Sequence, residues 1–181
     1  MPVSFSLPFF RPCRPATLIE DYMTVNNWGG GTLGPNYWEH SSSEWTRYIT
    51  HSVTWPFRKT CSYRIEVDYQ NLNYGSNTYN DLGLGLFAIT QHPTLVGFKI
   101  RDPSAGGGWI QREYAGLSNN ERHVYKFTLN GKTKAYTIQI DTTTVFTGNV
   151  TTVRDSTNII LGDSFAQSDG HRIYSMKVYR I

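Results

Sequence analysis

HVYKFTLNGKTKAYTIQIDTTTVFTG, residues 123–148, reads as strands folded back on one another by two turns. Tyr125, Phe127 and Leu129 share one side of the first strand, and Tyr136, Ile138 and Ile140 share one side of the next, because successive side chains of a strand point to opposite faces. Asn130-Gly131 between them is a hairpin signal, since both residues tolerate the positive φ of a tight turn. A second turn is expected at Asp141. A period of two with no competing helical period predicts β structure.

The same rhythm extends in both directions. Strands are expected over 51–57, 62–71, 82–90, 95–101, 109–114, 123–129, 135–140, 143–149, 158–162 and 172–180. The 82–90 segment is apolar on both sides, with Leu84, Leu86 and Ala88 opposite Phe87 and Ile89, which predicts a central strand covered on either face. The first fifty residues differ. Trp28, Trp38, Trp45, Gly29 to Gly31 and Ser41 to Ser43 sit in a turn-rich region with weak strand signal near Tyr48 and Ile49, so long loops with two short strands are expected there.

At 181 residues the chain suits one core. Pro2, Pro8, Pro12 and Pro15 predict an extended arm over 1–16, ahead of a single sandwich domain over 17–181. Phe5, Leu7, Phe9 and Phe10 are costly to leave in water, so the arm, which also carries Arg11, is expected to dock on this domain or on a neighbour. No Lys or Arg precedes the apolar run and no small-residue cleavage site follows it, so it is not read as a signal peptide. Cys13 and Cys61 permit at most one internal disulfide, and without an export signal a reduced pair is expected.

Hydrophobic content of 39% with 17% charged residues excludes a disordered chain. The net charge of +3 is spread without a basic run, which gives no support for nucleic acid as a partner. No stretch approaches the roughly 18 apolar residues that membrane insertion by a helix requires.

Two segments carry a family resemblance. Residues 123–148 resemble the paired hairpins of concanavalin A-like and laminin G-like jelly rolls, with Asp141 where that family's Asp-Gly turn begins and Thr142 replacing the glycine. NIILGDSFAQSDGHRIYSMKVYRI, residues 158–181, is similar to the strands that close such a sandwich, through an apolar run ending in Gly162-Asp163, a polar loop and an amphipathic last strand. The resemblance spans roughly residues 62–181 and implies an all-β, antiparallel β-sandwich (jelly roll) of the concanavalin A-like type, a superfamily of lectins and glucanases. Its motifs are structural, so they speak to fold more than to function.

The chemistry-bearing candidates point away from catalysis. Glu66-Val67-Asp68 is similar to the strand of certain glycoside hydrolases of this fold, but Gln70 and Asn71 stand where a further carboxyl is needed, and an amide cannot protonate a leaving oxygen. No catalytic residue and no enzyme activity are expected. The acids Asp81, Asp163 and Asp169 leave calcium open, as in many lectins, yet form no dense ligand run, and no metal or cofactor is expected. His40, His51, His92, His123 and His171 lack zinc spacing, and there is no GxSxG nucleophile elbow. Asn149-Val150-Thr151 has the form of a glycosylation sequon and is read as chance.

What remains is recognition. The Gly106-Gly107-Gly108 loop delivers Trp109, then Gln111, Arg112 and Tyr114, a flat ring beside planar donors that suits a sugar. Asn71, Tyr74 and Tyr79 belong to a second Asn/Tyr-rich loop of adaptable-binding composition. The expected function is therefore a non-catalytic, lectin-like module binding a glycan. The alternative is a viral structural subunit, such as a phage capsid decoration or tail protein, whose arm residues Phe5, Phe9, Phe10 and Arg11 hold a homo-oligomer or virion together.

Overall fold

The computed structural model describes residues 17–21, 32–40, 49–57, 59–72, 80–83, 86–91, 95–117, 120–153, 156–161 and 171–181. In chain order its strands are β1 (Thr17–Asp21), β2 (Thr32–Leu33), β3 (Trp38–His40), β4 (Ile49–Phe57), β5 (Tyr63–Asn71), β6 (Asn80–Gly83), β7 (Phe87–Gln91), β8 (Leu95–Arg101), β9 (Trp109–Ala115), β10 (Arg122–Leu129), β11 (Ala135–Ile140), β12 (Thr143–Asn149), β13 (Ser156–Leu161) and β14 (His171–Arg180). They form two antiparallel sheets. The larger runs β12-β11-β10-β5-β14-β3-β2, with β1 also paired to β14, and the smaller runs β4-β13-β6-β7-β8-β9.

The alternation read from 123–148 makes the core. On β5 the burial alternates without a break, Tyr63, Ile65, Val67 and Tyr69 facing in. They meet Tyr125, Phe127 and Leu129 of β10, Tyr136, Ile138 and Ile140 of β11, and Ile173, Met176 and Val178 of β14. The smaller sheet answers with Phe87, Ile89, Val96, Phe98 and Ile100. Rings join the two layers, Phe87 lying 4.9 Å from Phe127 and Phe98 lying 6.0 Å from Tyr125.

Strands β8, β11 and β12 have the expected bounds. The expected strand over 82–90 is instead two, β6 and β7, paired antiparallel with Gly83 opposite Ala88. Glycines at 83 and 85 interrupt the apolar run, and glycine inside a strand pattern marks a tight bend. The expectation of cover on both faces holds at β7, where residues 86–90 are all buried. The opening fifty residues hold β1, β2 and β3 and the start of β4, more strand than their turn-rich composition suggests. Residues 1–16, with the expected arm and its Phe5, Phe9, Phe10 and Arg11, lie outside the described residues.

The β10–β11 hairpin forms, but by a different turn. Leu129 pairs with Tyr136, so the connection is the longer loop 130–134. The Asn130 Oδ1 accepts from the Lys132 and Thr133 N–H groups, and Lys134 takes the left-handed conformation at φ 63°. Gly131 is required by contact and not by φ: a Cβ there would stand 2.3 Å from the Cys61 carbonyl oxygen. Cys61 itself is disulfide-bonded, which corrects the expected reduced pair; Cys13, the chain's other cysteine, lies outside the described residues.

Loop 102–108 is pinned by a buried carboxylate. Asp102, 2% exposed, accepts N–H bonds from Ser104 at 3.0 Å, Thr151 at 2.7 Å and Thr152 at 3.2 Å. Burial pushes this carboxyl upward, but the three backbone donors outweigh it and hold the group below its ordinary value.

Candidate functional site on the outer face of the larger sheet

Strict alternation on β5 turns Arg64, Glu66, Asp68 and Gln70 outward. The cross-strand register sets them in rows with their neighbours: Arg122, Gln70, Arg172 and Glu39 stand opposite one another across β10, β5, β14 and β3. A second row joins Lys126, Glu66 and Lys177, and a third joins Thr128, Arg64 and Tyr179.

A bulge adds one residue to this face. On β14 the partner of Ile173 is Tyr69 and the partner of Ser175 is Asp68, so Tyr174 is extra. Because Ile173 and Met176 are both buried, the two residues between them turn outward together, and the bulge re-aims a tyrosine onto the polar surface.

Around Tyr174 the side chains form a connected network. The Arg122 guanidinium donates twice to the Asp68 carboxylate, Nε to Oδ1 at 2.7 Å and Nη2 to Oδ2 at 2.6 Å. The same guanidinium lies 3.6 Å from the centre of the Tyr174 ring. The Tyr174 hydroxyl donates to Gln70 Oε1 at 2.7 Å, and Gln70 Nε2 donates to the Asn120 carbonyl at 2.8 Å. Asp68 is only 16% exposed while Arg122 is 50% exposed, so the acid is tucked beneath a guanidinium that faces water. The hydrogen bonds to Asp68 hold Arg122 above its ordinary value.

Two further units repeat this composition. Arg172 donates from Nε to Glu39 Oε2 at 2.7 Å and lies 4.6 Å from the Tyr37 ring centre. The bond to Glu39 holds Arg172, too, above its ordinary value. Tyr37 belongs to the turn between β2 and β3, where Gly34 donates to the Tyr37 carbonyl. A Cβ on Gly34 would stand 2.6 Å from the Tyr37 ring, so glycine makes room for that ring. Tyr37 and Tyr174 lie 5.6 Å apart, which joins the first two units. In the third, Arg64 Nε is 2.8 Å from Glu66 Oε1, an ion pair without hydrogen-bond alignment, and the guanidinium lies 4.6 Å from the Tyr179 ring.

The residues selected from sequence fall elsewhere. Trp109, Gln111, Arg112 and Tyr114 lie on β9, at the edge of the smaller sheet. Their register divides them: Trp109 and Gln111 stand opposite Arg101 and Lys99, whereas Arg112 and Tyr114 stand opposite the core residues Phe98 and Val96. Tyr114 packs edge-on against Phe146 at 6.5 Å, as part of the core rim. The Arg112 side chain bonds the neighbouring Gln111 carbonyl at 2.8 Å. Trp109 is half-buried, with the Arg101 guanidinium 4.9 Å from its ring. Asn71 ends β5 in the larger sheet, and Tyr74 and Tyr79 lie outside the described residues.

Sequence reading weighed Glu66, Asp68 and Gln70 against hydrolysis and missed Tyr174, Arg122 and Arg172 as partners on their strand face. The signal was there: Ile173-Tyr-Ser-Met176 breaks the period of two inside an otherwise alternating strand, which marks a bulge. Among the described residues no three His, Cys, Asp or Glu side chains are gathered to hold a metal ion. Asp163 and Asp169, two of the acids considered for calcium, lie outside the described residues.

No family profile matches the chain, and no curated protein matches it in sequence. Solved structures do. The binding domain of Paraclostridial Mosquitocidal Protein 1 matches over 80% of this chain and 40% of its own length, at 13% identity and a TM-score of 0.61. The binding domain of Botulinum Neurotoxin DC, solved in complex with SialylT, matches over 91% of this chain and 40% of its own, at 13% identity and a TM-score of 0.60. Alginate lyase A1-II′ of polysaccharide lyase family-7 matches over 74% of this chain and 70% of its own, at 7% identity and a TM-score of 0.57. The fold is an antiparallel jelly-roll β-sandwich. At these identities the likeness speaks to fold, and the chain spans less than half of the toxin binding domains it matches.

Proposed function

We propose that this jelly roll is a non-catalytic glycan-binding module whose recognition surface is the outer face of the larger sheet around Tyr174. The observation that carries the reading is the Arg122 guanidinium, 3.6 Å from the centre of the Tyr174 ring and bidentate to Asp68. A guanidinium has five N–H donors, and among the described residues the Asp68 carboxylate engages two of those of Arg122, which sets further donors beside carboxylate acceptors. Fixed donors next to fixed acceptors suit adjacent sugar hydroxyls, each of which both gives and takes a hydrogen bond.

Stability alone gives little reason for such an arrangement. With Arg122 half exposed and screened by water, its ion pair with Asp68 contributes on the order of 1 kcal/mol. A bulge that brings a tyrosine outward to hold an arginine serves positioning better than it serves the fold. The botulinum binding domain, solved in complex with SialylT, is consistent with glycan recognition on this architecture. Lyases share the architecture too, but Glu66 and Asp68 are each engaged by an arginine here, which favours binding over proton transfer. The surface needs no metal in this reading.

A glycan array probed with the wild-type protein tests it, followed by titration of whichever glycan gives signal. Tyr174→Ala should weaken that interaction at least tenfold and Trp109→Ala by less than about twofold, tenfold corresponding to about 1.4 kcal/mol. A blank array, or a signal that falls with Trp109→Ala and survives Tyr174→Ala, would overturn the assignment.

A further inference from the structure

The arginine, carboxylate and tyrosine of the Tyr174 unit recur at Tyr37 and, further along the same face, at Tyr179. Tyr174 and Tyr179 lie five positions apart on β14, which at about 3.3 Å per residue separates them by about 16 Å. No single sugar ring bridges that span. The surface between them is continuous and polar: Ser175 and Lys177 of β14 run beside Asp68 and Glu66 of β5, with Lys126 opposite Glu66 on β10.

We infer that this face takes one extended saccharide chain laid along β14, with one subsite at Tyr37 and Tyr174 and a second at Tyr179. The ligand class is therefore a linear polysaccharide segment and not a terminal sugar. The inference rests on the glycan reading above. Its physical basis is the repetition: units of the same composition, two of them set by the register of β5 with its neighbours and one completed by Tyr37 of the β2–β3 turn, match a ligand that is itself a repeat. The second subsite adds binding only when the chain is long enough to reach it, because contacts made by one tethered ligand act together at high effective concentration.

The test is calorimetric titration of the full chain with β-1,4-linked glucose oligomers and with uronate oligomers, each from disaccharide to octasaccharide. Affinity for the recognised series should rise at least tenfold with length and then level off once the oligomer spans both units. Tyr179→Ala should lower octasaccharide affinity towards the short-oligomer value while leaving disaccharide binding unchanged, whereas Tyr174→Ala should lower both. Should Tyr179→Ala fail to fold by circular dichroism, the length series on the wild-type protein decides alone. Equal affinity for disaccharide and octasaccharide, or full octasaccharide affinity in Tyr179→Ala, would overturn the extended ligand and leave the glycan reading standing. Absence of binding at every length in both series would overturn the two together.

Discussion

Strand β5 has two faces of opposite character. Inward, Tyr63, Ile65, Val67 and Tyr69 are each 3% exposed or less and pack into rings and aliphatic groups from both sheets. Outward, Arg64 and Glu66 pair along the strand, Arg64 lies over Tyr179 of β14, and Asp68 and Gln70 bond Arg122 of β10 and Tyr174 of β14. The inner face is held by bulk, which any well-fitting apolar neighbour supplies. The outer face is held by direction, since a guanidinium turned by a few tens of degrees loses its carboxylate. One face stabilises the protein and the other gives it a defined surface, and substitutions should separate the two.

The largest effect is expected inside. Phe127→Ala removes a ring that touches both Phe87 and Phe98, and should destabilise the fold by about 3–5 kcal/mol in denaturant unfolding. A loss below about 1 kcal/mol would mean that the two sheets do not depend on these rings.

The middle of the range belongs to Asp102, a buried polar group whose bonds are as directional as those of the outer face. Asp102→Ala leaves three backbone N–H groups without their acceptor and should cost on the order of 3 kcal/mol. Its folded-state value is depressed, so its stabilisation is complete above the ordinary carboxylate value of 3.8 and is lost as pH falls through the folded value. Acid titration of stability should therefore be flatter for Asp102→Asn than for wild type below that pH. Parallel curves would show that the carboxylate charge is not what pins the loop.

The smallest effect on stability is expected outside. Arg122→Lys keeps the charge but loses the bidentate fork and the guanidinium contact with the Tyr174 ring, and should change stability by less than about 1 kcal/mol while abolishing most glycan binding. A stability loss comparable to that of Phe127→Ala would instead make the network part of the scaffold and erase the distinction between the faces.

This division also explains how far the sequence could be read. Alternation reports which residues are inward, and it located β8, β11 and β12 to the residue. Burial has a period, so it is visible in one dimension. The outer face has no such period: Arg122 and Asp68 lie 54 positions apart, and Arg172 and Glu39 lie 133 apart. Such pairings depend on strand order, which composition does not encode. Trp109 drew notice as a tryptophan beside three glycines, a local signal, although its companions split between two faces of β9. The hairpin at 130–134 shows the same limit more gently, since Asn130-Gly131 marked where the chain turns but not the kind of turn, and the reason for Gly131 lay in the distant carbonyl of Cys61.

The most direct test of the binding surface is amide chemical-shift mapping of the isotope-labelled protein during titration with an oligosaccharide selected on the array. The account predicts perturbations concentrated at residues 64–70, 122–126 and 172–179, with β9 unchanged. Perturbations centred on residues 109–114, with the face of β5 and β14 silent, would contradict it.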